Sequence, residues 1–103
     1  MEFKLGQGIF EQDGKPVFLI SGEIHYFRID RALWDKHLDA AVEAGIRTVS
    51  SYVPWAWHEP EENLFDLEGK THPQRDLKAW IEACERHGLT CILKPGPFIL
   101  AEF

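Results

Sequence analysis

The chain has 103 residues, 45% of them apolar, 27% charged and 13% aromatic, which is enough for one modest domain with a real core. Seventeen acids against eleven scattered bases leave a net charge of −6, which argues against nucleic acid and against an anionic membrane surface as partners. No apolar run approaches the roughly 20 residues of a membrane helix. The start, Met1-Glu2-Phe3-Lys4-Leu5-Gly6, lacks the basic and apolar regions of a signal peptide, and Cys84 and Cys91 make no disulfide framework, so a cytoplasmic, reducing setting is expected.

In chain order, Asp13-Gly14 stands between the apolar ends of Phe10–Phe18, the pairing that signals a hairpin. The run Val17-Phe18-Leu19-Ile20 predicts a strand buried on both faces. It ends where polar and aromatic residues crowd together, in Ser21-Gly22-Glu23-Ile24-His25-Tyr26-Phe27-Arg28. Asp30 can cap a helix over about 31–44, with Trp34, Leu38, Ala41 and Val42 on one face and Gly45 as the stop. Ile46 to Val53 reads as the next strand. Residues 60–72 are polar, contain Gly69 and read as a loop. Pro73 suits the first turn of a helix running to about His87, whose inner face is Leu77, Trp80, Ile81 and Cys84, and Gly88 ends it. Leu89–Leu93 is a third strand, followed by a Pro-Gly-Pro turn and the residues Ile99-Leu100-Ala101-Glu102-Phe103.

Strands alternating with helices predict an α/β fold on a parallel sheet. Each strand ends in polar or aromatic residues, as the strands of a (β/α)8 barrel do at the face that carries active sites. A doubly wound sheet would carry a glycine-rich phosphate turn after its first strand, and Ser21-Gly22-Glu23 is not one. A barrel needs about 250 residues. Residues 1–103 therefore read as the first three units of a barrel, with a hairpin ahead of them, truncated at the carboxyl end.

The end of the second strand, Tyr52-Val53-Pro54-Trp55-Ala56-Trp57-His58-Glu59, sets flat apolar rings beside hydrogen-bonding groups, which suits a sugar. The plainer reading makes Trp55 and Trp57 core and gives His58-Glu59-Pro60 only a turn to shape. Tyr52 alternates away from Val53, which gives its hydroxyl a rim position. His25 and His58 with Glu23, Glu59, Glu61 and Glu62 make a poor metal site, because Pro60 interrupts any His-Glu-x-x-His helix. His37, His72 and His87 read as solvated. Sugar cleavage requires two carboxylates about 5–9 Å apart, and Glu23, Glu59 and Glu102 could each reach one rim.

Three segments then carry a resemblance. Ser21–Arg28, Tyr52–Pro60 and Lys94-Pro95-Gly96-Pro97-Phe98-Ile99-Leu100-Ala101-Glu102-Phe103 resemble the glycoside hydrolase family 35 β-galactosidases, in order and spacing, from Phe10 onward. The resemblance implies a barrel that removes terminal β-linked galactose with retention and without a cofactor. It places both catalytic glutamates beyond Phe103, which displaces the pair nominated above. Tyr52, Ala101 and Glu102 would then bind galactose hydroxyls, and Leu100, His25 and Trp55 would line the pocket wall. Leu100 stands where many members have cysteine, Phe98 and Phe103 where tyrosine and tryptophan are common, and Asp30 where proline is usual. These departures leave an exo-β-glucosaminidase open. A non-catalytic carbohydrate-binding module derived from such a barrel, self-associating through open strand edges, is the reading from another class. On the first reading the isolated chain is inactive, and a homo-oligomer is compatible with either.

Overall fold

The computed structural model describes residues 2–97. Asp13 and Gly14 take φ of 53° and 80°, the left-handed pair that a tight two-residue turn requires. On either side of them β2 (Phe10–Gln12) and β3 (Lys15–Val17) pair antiparallel, Gln12 opposite Lys15. A strand that the sequence pattern did not suggest, β1 (Phe3–Leu5), adds to the outer edge of β2. At three residues it is too short to show an alternation.

The two-sided strand expected over Val17–Ile20 does not form. Val17 closes β3, while Phe18 and Ile20 are 86% and 67% exposed in the passage to the second sheet. The first parallel strand is instead the polar β4 (Ser21–Glu23). A continuous apolar run predicts two-sided burial only where a sheet receives it. Here backbone pairing selects the next three residues, Ser21 opposite Thr48 through Glu23 opposite Ser50.

Asp30 accepts a hydrogen bond from the Ala32 amide at 3.3 Å and opens a tight 3-10 turn, Arg31–Leu33. The helix proper, α1, spans Trp34–Glu43 and buries Trp34, Leu38 and Ala41 on its inner face. At its end Gly45 (φ +88°) lets the Ile46 amide reach the Ala41 carbonyl and its own amide reach that of Val42. This is the left-handed closure that favours glycine. The chain then runs as β5 (Thr48–Pro54) straight into one turn of helix, α2 (Trp55–His58).

The helix expected from Pro73 is divided. Pro73–Arg75 is a 3-10 turn, and Asp76 leaves helical geometry to cap the separate helix α3 (Leu77–Arg86), accepting from Ala79 N at 2.9 Å. A carboxylate at that position competes with the helix for its own first amides. Helix α3 ends as α1 does, with Gly88 (φ +70°) admitting a Leu89 amide bond to the Cys84 carbonyl. Strand β6 (Thr90–Gly96) follows.

The second sheet is parallel in the order β4-β5-β6, with Val49 opposite Cys91 and Tyr52 opposite Lys94. Val49 and Cys91 belong to the core that α1 and α3 cover, with Leu38, Ala41, Trp80, Ala83, Cys84 and Leu89. Strand alternation turns Glu23, Ser50, Tyr52, Ile92 and Lys94 to the opposite face. That second face is mostly polar.

Candidate functional site

At the carboxyl ends of the parallel strands, one oxygen gathers two donors. Glu23 Oε1 accepts from Lys94 Nζ at 2.8 Å, across the width of β5, and meets His25 Nε2 at 3.0 Å. The hydrogen bonds from Lys94 and then from His25 hold the Glu23 carboxyl below the usual carboxylate range. The Lys94 ammonium also lies 4.2 Å from the centre of the Tyr52 ring. The His25 ring tilts against Tyr52 at 5.6 Å and stacks on Phe27 at 5.3 Å. Lys94 and His25, from the ends of the two strands beside β5, thus flank one phenol, and Glu23 joins them. Among the described residues, no hydrogen bond engages the Tyr52 hydroxyl.

A second, enclosed network lies beside it. Tyr26 and His58 are buried, and Tyr26 Oη lies 2.6 Å from His58 Nε2. His58 Nδ1 is 2.7 Å from the Asp66 carbonyl oxygen. A carbonyl only accepts, so Nδ1 carries the proton and Nε2 receives the Tyr26 hydroxyl. Burial pushes the His58 ring below its ordinary pKa, against the opposing pull of the Asp66 carbonyl. Burial also pushes the Tyr26 phenol well up. Both groups are therefore neutral at physiological pH.

Asp66 itself shapes the connection after β5. Its Oδ1 accepts from the amides of Glu68 (3.0 Å) and Lys70 (3.1 Å), and its Oδ2 from the amide (2.6 Å) and hydroxyl of Thr71. Burial would raise this carboxyl, but the Thr71 hydroxyl and the three amides hold it well below the usual range.

The two tryptophans part company. Trp57 packs against the core, donates to the Gln74 carbonyl at 3.1 Å and receives the Arg75 guanidinium at 4.2 Å from its ring. Trp55 is 46% exposed and not core; its Nε1 donates to Glu59 Oε1 at 2.8 Å, and its ring meets Phe65 at 6.0 Å. None of these contacts joins it to Tyr52. Glu59 Oε2 accepts from the Asn63 amide, so this carboxylate braces a turn while Glu23 serves the strand ends. His25 and His58 likewise serve separate networks, and among the described residues no three metal-ligating side chains converge.

The solvated reading fails for two histidines. His72 accepts from the Gln74 amide and packs on Trp57 at 5.1 Å, while His87 bonds the Ala83 carbonyl and pairs with Asp39 at 3.0 Å. Leu100, Ala101 and Glu102, with Phe98 and Phe103, lie outside the described residues.

The sequence reading missed Lys94, Tyr26 and Asp66. Lys94 had a signal, a cation at the end of a buried strand. Asp66, a carboxylate just ahead of a glycine-bearing polar stretch, had a weaker one.

With this geometry in view, the model of the glycosyl hydrolases family 35 matches residues 9–103. The chain belongs to that family. Family 35 relatives differ in what their names say they act on. The chain is 55% identical over 94 residues to a β-1,2-glucosyltransferase of Ignavibacterium album, covering 91% of this chain and 13% of that protein. It is 43% identical over 91 residues to an exo-β-D-glucosaminidase of Thermococcus kodakarensis, covering 88% of this chain and 12% of the relative. A β-galactosidase of Mus musculus is 42% identical over 94 residues, 91% of this chain and 14% of the mouse protein. The family 35 chain therefore spans about an eighth of the length of the curated relatives it matches. Members of the family are glycoside hydrolases.

Proposed function

We propose that the complete protein containing this chain is a retaining β-galactosidase, acting on terminal non-reducing β-linked galactose. On this reading residues 1–103 are the amino-terminal part of its catalytic domain, and β4, β5 and β6 with their helices are the first three units of a (β/α)8 barrel. Tyr52, with Ala101 and Glu102, binds hydroxyls of the terminal sugar. The acid/base and nucleophile glutamates lie beyond Phe103, so the isolated chain is inactive. A cytoplasmic location goes with the free thiols of Cys84 and Cys91.

The observation that carries the reading is the Tyr52 hydroxyl, without a partner among the described residues, in a frame of ring and charge at the ends of three parallel strands. An aromatic ring beside fixed donors and acceptors suits the apolar face and polar rim of a pyranose.

A second reading is favoured by the 55% identity to a β-1,2-glucosyltransferase. The same subsite would then hold a glucosyl group, and a sugar hydroxyl would replace water as the acceptor.

The deciding experiment gives the complete protein a panel of aryl β-galactoside, β-glucosaminide and β-glucoside, with and without a glucose acceptor, and follows the anomeric protons by NMR. Galactose released first as the β-anomer supports the primary reading. Glucosamine release would move the protein to the exo-β-glucosaminidases. A β-1,2-linked disaccharide would favour the transferase, and release of the α-anomer would refute retention.

A further inference from the structure

We infer that Lys94 and Glu23 are a positioning pair for Tyr52, holding its ring in the one orientation from which the hydroxyl meets a sugar. The inference rests on the reading of Tyr52 as a substrate-contacting residue.

The strand order makes the arrangement possible. Glu23 and Lys94 stand on the two strands that flank the strand of Tyr52, and their 2.8 Å bond crosses it. Lys94 is also the direct register partner of Tyr52, which brings its ammonium to 4.2 Å from the ring centre. The same Glu23 oxygen engages His25 at 3.0 Å, and His25 is the other group against the Tyr52 ring, at 5.6 Å. His25 is itself backed by Phe27, stacked at 5.3 Å. One carboxylate oxygen thus organises both neighbours of the phenol.

A merely stabilising role fits poorly. The Lys94 and Glu23 side chains are 40% and 46% exposed, and ion pairs in that setting add little to a fold. A direct role in sugar binding fits less well for Lys94, whose charge is already committed to Glu23 and to the Tyr52 ring. Positioning uses all of these contacts together.

The test uses the complete protein with Lys94→Met, Glu23→Gln, Tyr52→Phe and the double variant Lys94→Met/Tyr52→Phe, on the aryl glycoside that the panel above identifies. The expected result is a rise in KM of about tenfold for Lys94→Met with kcat within twofold, partial rescue by Lys94→Arg, and an unchanged unfolding midpoint; tenfold corresponds to one net hydrogen bond. The double variant should be no worse than Tyr52→Phe alone, because Lys94 acts through that hydroxyl. Additive losses in the double variant would overturn the inference while leaving Tyr52 as a sugar ligand. A neutral Tyr52→Phe would remove the underlying reading as well. Fluorine NMR of protein labelled with 3-fluorotyrosine needs no substrate. One Tyr52 ring orientation in the parent and two in Lys94→Met are expected, and the same population in both would refute positioning.

Discussion

The Tyr26 hydroxyl donates to His58 Nε2 over 2.6 Å and joins residues 32 positions apart in the chain. It ties the loop after β4 to the helical turn after β5. His58 passes the connection on through Nδ1 to the Asp66 carbonyl at 2.7 Å. Removing the hydroxyl leaves a buried acceptor unsatisfied. Tyr26→Phe should cost about 1–3 kcal/mol, read as a lower urea midpoint at an unchanged denaturant slope.

Tyr52→Phe should do the reverse. No hydrogen bond among the described residues engages that hydroxyl, so the urea midpoint should stay within about 0.5 kcal/mol of the parent. On the proposed function, the same variant of the complete protein should lose roughly tenfold in kcat/KM for the glycoside it cleaves. A stability loss equal to that of Tyr26→Phe would contradict the assignment.

Acid should weaken the fold in two stages. His58 has a folded pKa below its ordinary 6.5, so the unfolded chain takes up its proton first. That contribution is complete above pH 6.5 and is lost as pH falls through the lowered folded value. Asp66 is also lowered, from 3.8, so its contribution is present above pH 3.8 and disappears only in stronger acid. Urea midpoints measured from pH 8 down to pH 3 should show the first decline begin near neutrality. His58→Gln should remove that first decline, and a midpoint that rises on acidification would refute the assignment.

Gly69 takes φ of +78°, and a Cβ there would stand 2.9 Å from the Asp76 Cβ. At Gly45 the φ is +88°, but a Cβ would meet nothing within 4 Å. Both alanine variants carry backbone strain of about 1–2 kcal/mol, and only Gly69→Ala adds a clash with the residue that caps α3. Thermal melts should therefore rank Gly69→Ala clearly below Gly45→Ala.

Much of the fold could be recognised from local chemistry. Gly45 and Gly88 end helices because glycine accepts the left-handed backbone of each closure, while Asp30 caps only the 3-10 turn ahead of α1. The apolar spacing of Trp34, Leu38 and Ala41 found the inner face of that helix. Local chemistry failed where a distant partner decides. The run Val17–Ile20 is strand-like by composition, yet pairing with Thr48–Ser50 goes to Ser21–Glu23. Asp76 was hidden behind a proline that announces a helix start four residues too early.

The candidate site was half legible. Tyr52 stood out by alternation on its strand. Lys94 and Glu23 are 71 residues apart, and only the strand order brings them over one ring. His58 looked like part of a surface turn because its partner, Tyr26, lies on another connection.

The glycine closures of α1 and α3 divide labour between the two ends of the parallel sheet. At one end each helix returns to its strand through a few residues bonded back onto the helix, with no slack to vary. At the other, the passages from β4 to α1 and from β5 to α3 carry His25, Trp55 and the Asp66 hub on longer connections. An insertion in those longer connections would leave the bonded closures at the first end in place. Variation is thereby confined to the end that holds Tyr52, His25 and Lys94, while the opposite end is fixed by backbone bonds.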